Sequence, residues 1–288
     1  MNKCKNLILN RISKIWRYII ISLFSKHKKK KSVCFSVREQ LESLAENIFN
    51  TYSFSPKQVI FQLDPEANIR TAYCNINMKP ITIVVGIADY LNANTIDEAQ
   101  KIYFQNSVLH ECEHAKTQLL LPNTLKEWFN ENKLSYGLWA FKLLDEYNAY
   151  SISNKNYKQD KGFLRGTEEN ILETITWYGQ RHNISNAPLE KYYEYADSYY
   201  DLGTAFIAHK YVNNDFPTIK EENYLAFVSS YFNHLKEASE FCLTTCEEYM
   251  FLSHTLLEDF KLLIKCVQKI NPTINISYDN FLRNSHMG

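Results

Sequence analysis

Glycine and proline are scarce: seven of each in 288 residues. That excludes collagen-like chains and argues against a β-architecture built on many tight turns. Cysteine is neither abundant nor patterned. The seven residues (Cys4, Cys34, Cys74, Cys112, Cys242, Cys246 and Cys266) form no CxxC pair, so neither a disulfide framework nor a paired-thiolate metal site is indicated. Cys242 and Cys246, four apart on an expected helix, read as packing residues. Fixed-period repeats and long low-complexity linkers are also missing. Aromatic residues are plentiful instead, at 14 % with 20 Tyr and 17 Phe, which excludes a wholly disordered chain.

Net charge is zero, with 32 basic and 32 acidic side chains, but the two signs are separated. The first 31 residues hold ten Lys or Arg and no acid, so the remaining 257 carry 22 basic and 32 acidic side chains. An acidic body argues against general nucleic-acid binding. In the head, Ile8, Ile12, Ile15, Trp16, Ile19 and Leu23 share one helical face while Arg11, Lys14 and Arg17 share another. The uncharged stretch from Tyr18 to Ser25 is too short to span a bilayer, and the densest charge follows the apolar part rather than preceding it, unlike a secretory signal. Residues 7–31 are suited to an anionic membrane surface; docking on the body and a nucleic-acid arm are the alternatives. The expected location is cytoplasmic, peripheral at the inner membrane surface if the head anchors.

The body is expected to be α+β, mostly α. A helix over 36–52 precedes three extended segments, Gln58–Leu63, Ile69–Ile76 and Ile81–Ile87, the last strongly β-branched. Thr95 and Glu98 have the form of a capping box opening a helix over 96–120. Further helices are predicted over 124–132, 134–154, 166–182, 188–212, 219–235 and 237–270. The expected division is a basic segment (1–33), a site-bearing core (34–156) and a helical C-terminal region (157–288).

The chemistry lies in residues 107–116, Ser-Val-Leu-His-Glu-Cys-Glu-His-Ala-Lys. His110, Glu111 and His114 form H-E-x-x-H. Residues i and i+4 sit one turn apart on one helical face, so both imidazoles can reach one ion, and Glu111 can approach that ion's open position as a base. Glu113 lies on another azimuth and is not an expected ligand. A catalytic zinc requires a third protein ligand. Glu146, 31 intervening residues after His114, is the expected one, because that interval lets a second helix return against the first. Asp145 is the rival, and small Ala149 would permit close approach of the helices.

From Asn68 to Ala149 the chain resembles the small gluzincin metallopeptidases of the ImmA/IrrE-like type. The matching pieces are Ile81–Ile87, His110-Glu111-Cys112-Glu113-His114 and Glu146-Tyr147-Asn148-Ala149. After Ala149 the chain departs from that family, reading Tyr-Ser-Ile-Ser, and no DNA-binding helix-turn-helix is evident at its N-terminus. The resemblance implies a zincin-like core, Zn2+ held by His110, His114 and Glu146, Glu111 as general base, and a protein or peptide substrate paired with an edge strand at Ile81–Ile87. A tyrosine or His182 would assist the oxyanion; Tyr147 and Tyr178 read rather as core aromatics. Two other readings remain: a catalytically silent zincin-like regulatory or binding module, and a helical interaction protein without metal.

Overall fold

The computed structural model describes residues 31–69, 71–93, 96–131, 136–158, 200, 203–204, 206–208, 210–211, 221–270 and 272. The basic head, the helix expected over 166–182, most of that over 188–212, and with them Tyr178, His182 and His209, lie outside the described residues. The rest is α+β and mostly helical, as the hydrophobic patterning predicts.

Helix α1 (Lys31–Thr51) leads into strands β1 (Val59–Asp64), β2 (Ala72–Asn75) and β3 (Ile81–Gly86). A one-turn helix, α2 (Ala88–Leu91), follows, and then the long helix α3 (Glu98–Leu120). The sheet order is β1-β3-β2. β3 runs parallel to β1, with Val59 opposite Ile81, and antiparallel to β2, with Ala72 opposite Val85. This corrects the expectation that Ile81–Ile87 is an edge strand: β3 is central. Its continuous run Ile-Thr-Ile-Val-Val is buried from Thr82 onward, the pattern of a strand covered on both faces. β1 and the shorter β2 hold the two edges.

Side chains from α1, β3 and α3 share one apolar cluster, including Val37, Leu41, Ile83, Val85, Phe104, Val108 and Cys112. The start of α3 also differs from expectation. Its capping box forms on Asp97 and Gln100, two residues after the anticipated pair: Asp97 accepts from the Gln100 backbone N–H at 2.7 Å, and the Gln100 side chain accepts from the Asp97 N–H at 3.0 Å.

A second apolar cluster joins α4 (Asn123–Glu131), α5 (Tyr136–Asn156), α6 (Glu222–Phe241) and α7 (Cys246–Ile270). The single helix expected over 237–270 is broken. Cys242 ends α6 in the left-handed region (φ 51°), and Thr245 with Glu248 then caps α7. Cys242 and Cys246 therefore flank a turn and do not share a helix.

Gly86 closes β3 where residues 67–68 cross it. A Cβ there would lie 2.1 Å from the Asn68 carbonyl oxygen and 2.8 Å from that of Ala67. Both obstacles are backbone and cannot rotate aside. Gly86→Ala is expected to destabilise the protein by about 1–3 kcal/mol, measured by urea denaturation; an unchanged midpoint would contradict this packing.

Candidate metal centre

Helix α3 lacks an apolar stripe because it is covered on more than one side. Phe104, Val108, Cys112 and Ala115 face the sheet-side core. His110 and His114 instead face α5. Two hydrogen bonds fix these helices as antiparallel neighbours: Asn106 Nδ2 donates to the Tyr157 carbonyl at 2.7 Å, and His114 Nδ1 meets Asp145 Oδ2 at 2.8 Å. Near one end of the pair residue 106 stands by 157, and further along residue 114 stands by 145. Glu146 thereby arrives at the two imidazoles.

His110 Nε2 lies 3.0 Å from His114 Nε2, 3.4 Å from Glu146 Oε2, and His114 Nε2 lies 3.7 Å from Glu146 Oε1. Tetrahedral ligands placed 2.0–2.2 Å from one ion would be separated by roughly 3.3–3.6 Å. One ligand atom from each residue falls within 4.8 Å of the others, so the three could hold a metal. The side chains of both histidines are 12 % exposed and that of Glu146 is 18 % exposed.

The chemistry of the donor set fits a cation. The Asp145 carboxyl meets the Nδ1 edge of His114, so Nε2 is the nitrogen that faces His110 and can meet a cation. The two Nε2 atoms lie 3.0 Å apart, a separation that a shared proton or a bound cation between them accounts for. In addition, Glu111, Asp145 and Glu146 all line this cleft of about 490 Å³. Three carboxylates against two imidazoles leave an excess of negative charge that a divalent cation offsets.

In the metal-free protein the neighbouring charges shift the proton affinities of these groups. Burial opposes ionisation of Glu146, but hydrogen bonding to His110, the charge of His114 and the Tyr200 hydroxyl hold its carboxyl down at about 2. Tyr200 donates to Glu146 Oε1 at 2.8 Å. Burial would lower the His114 pKa, yet the charge and hydrogen bond of Asp145 push it up to about 10. For Glu111, burial raises the pKa above the ordinary carboxylate value, while His110 and His114 pull it back. Cys74 also lines the cleft, its thiol pushed up to about 12 by burial and then by Glu111 and Asp145.

The expected residues thus separate by role. His110, His114 and Glu146 converge, and Glu111 shares their cleft. Asp145, the rival ligand, instead orients His114. Glu113 is buried away from the cluster, accepting from the Tyr52 hydroxyl at 2.5 Å and from Lys116 at 3.1 Å, which ties α1 to α3. Tyr147 is buried in the helical core, as anticipated. His234 pairs with Asp259 at 2.7 Å between α6 and α7 and lines a separate cleft. Sequence reasoning missed Tyr150, whose ring packs edge-on to His110 with centroids 4.4 Å apart, and Tyr200. The position of Tyr150, one turn after Glu146, was a signal for the first; nothing local marked the second.

Comparison with protein-family models, with curated proteins and with solved structures finds no match for this chain.

Stability of the metal-free protein provides a test of the Asp145–His114 pair. Its folded pKa is raised, so the stability it contributes is complete below the ordinary imidazole value of 6.5 and is lost as pH rises through about 10. In Asp145→Asn this alkaline loss should disappear relative to the parent, measured by urea denaturation in chelator. Zinc affinity should fall about 10–100-fold. Identical profiles and affinities would contradict the pairing.

Proposed function

We propose that this protein is a zinc-dependent endopeptidase of the small gluzincin, ImmA/IrrE-like kind. The observation that carries the reading is the convergence of His110, His114 and Glu146 in a cleft that also holds Glu111. A purely structural zinc site closes its coordination with four protein ligands and needs no adjacent base. Here three ligand-type residues converge, and the carboxyl of Glu111 remains beside them.

Zinc held by these residues would supply a Lewis acid and lower the pKa of water. The remaining work belongs to the chain. Asp145 holds His114 in the tautomer whose Nε2 is the ligand atom. Tyr200 orients the Glu146 carboxylate. Glu111, its pKa raised by burial, is suited to take a proton from the attacking water and deliver it to the departing amine. Among the described residues β2 pairs only with β3, and Ala72, Tyr73, Cys74 and Ile76 line the cleft. An extended substrate backbone can therefore add to β2, in place of the strand at Ile81–Ile87 named from sequence. The exposed side chains of Tyr73 and Ile76 give that edge an apolar character.

Glu111→Gln separates turnover from metal binding. The variant should retain one zinc per chain and lose at least about 100-fold in peptide hydrolysis, measured on a mixed peptide library by mass spectrometry. A variant as active as the parent would overturn the role of Glu111. A parent that binds zinc and cleaves nothing would favour the silent binding module.

A further inference from the structure

The cleft has two chemically different ends. Because α3 and α5 run antiparallel, Gln118 (one turn after His114) and Lys142 (one turn before Glu146) fall at the same end, with Leu138 and Phe141. Tyr103, Ser107 and Tyr150 line the other end, which is neutral. Lys142 is the one Lys or Arg among the described residues lining the cleft.

Its surroundings are unusual for a lysine in this position. A Lys four residues before a Glu on a helix is within reach of it. Glu146 turns instead to His110, His114 and Tyr200. The Lys142 ammonium lies over the Tyr200 ring, 5.4 Å from its centroid, and no carboxylate among the described residues is within ion-pair distance of it. The same tyrosine thus contacts the lysine through its ring and Glu146 through its hydroxyl. Lys142 is exposed and lines the cleft, and none of the described residues that line it with Lys142 forms an ion pair with it.

We propose that Lys142 selects substrates carrying a carboxylate close to the scissile bond, so that the protein acts on acidic peptide segments. The inference rests on the peptidase reading. The four residues from Lys142 to Glu146 rise about 6 Å along α5, a distance that about two residues of extended peptide cover. A carboxylate one or two residues from the bond at the metal cluster therefore reaches the ammonium. An acidic side chain and a free C-terminal carboxylate present the same group, and the two are separable by experiment.

The probes are acetylated, amidated octapeptides of Ala, Leu and Phe with a single Glu walked along them, their Gln twins, and a Gln-bearing set ending in a free carboxylate. Binding is measured by calorimetry to the zinc-loaded full chain carrying Glu111→Gln. Glu at one register should bind about three- to fivefold tighter than Gln, as a charged partner does at an exposed site. Preference for the free-terminus set would assign the carboxylate to the chain end. Adding Lys142→Glu should reverse the preference toward Lys-bearing peptides, and Lys142→Met should abolish it; thermal unfolding checks that each variant folds. Equal binding of Glu and Gln peptides at every register, or a preference that survives Lys142→Glu, overturns the proposal. Cleavage by the parent without any preference for acid sinks this inference and leaves the peptidase reading standing. The reversed preference in a protein that cleaves nothing sustains the role of Lys142 and removes the peptidase reading.

Discussion

The antiparallel packing of α3 on α5 is the contact on which the rest depends. Neither helix alone presents more than part of a ligand set. α3 offers two imidazoles at i and i+4, and α5 offers adjacent carboxylates at 145 and 146. Their juxtaposition gives the two acids different tasks. Asp145 meets the Nδ1 side of His114, and Glu146 meets the Nε2 side of both histidines. A shift of one residue along α5 would bring Leu144 or Tyr147 into one of those two places. The Asn106–Tyr157 hydrogen bond and the apolar core beneath α3 hold the alignment.

That alignment concentrates negative charge in a place with little water. Glu111 is 6 % exposed and Asp145 is 9 % exposed. Carboxylates this close are costly unless cations or donors compensate them. Two imidazoles and the Tyr200 hydroxyl compensate part of the charge, and a divalent ion would compensate the remainder. Among the described residues two buried atoms of this site, His110 Nδ1 and Asp145 Oδ1, have no hydrogen-bond partner, so His110 is the less firmly oriented of the two histidines. The Tyr150 ring supplies packing rather than a hydrogen bond on that side.

Much of this was legible in the residues. The i, i+4 histidines and a 31-residue return to Glu146 follow from helix geometry, which is local. Positions that depend on neighbouring chain segments were less legible. The Ile81–Ile87 run signalled a strand, but its place in the sheet depends on pairing, and its unbroken burial was the overlooked sign of a central strand. Asp145 and Glu146 are adjacent, and only the crossing of the two helices decides which is ligand and which orients. Tyr200 comes from 54 residues beyond Glu146, with no periodicity to announce it. The break at Cys242 could have been found: Thr245-Cys246-Glu247-Glu248 has the form of a capping box, hidden by the apolar periodicity running through it.

The central claim is that these two helices build one cation site from two imidazoles and a carboxylate. X-ray absorption at the zinc edge, on the full chain loaded with one equivalent, tests it most directly. The account predicts two nitrogen scatterers with imidazole signatures at about 2.0–2.1 Å and oxygen at about 2.0–2.2 Å, with the imidazole pattern reduced by one ring in His114→Ala and the oxygen shell altered in Glu146→Ala. A protein that takes up no stoichiometric zinc, or a spectrum unchanged by both substitutions, would contradict it.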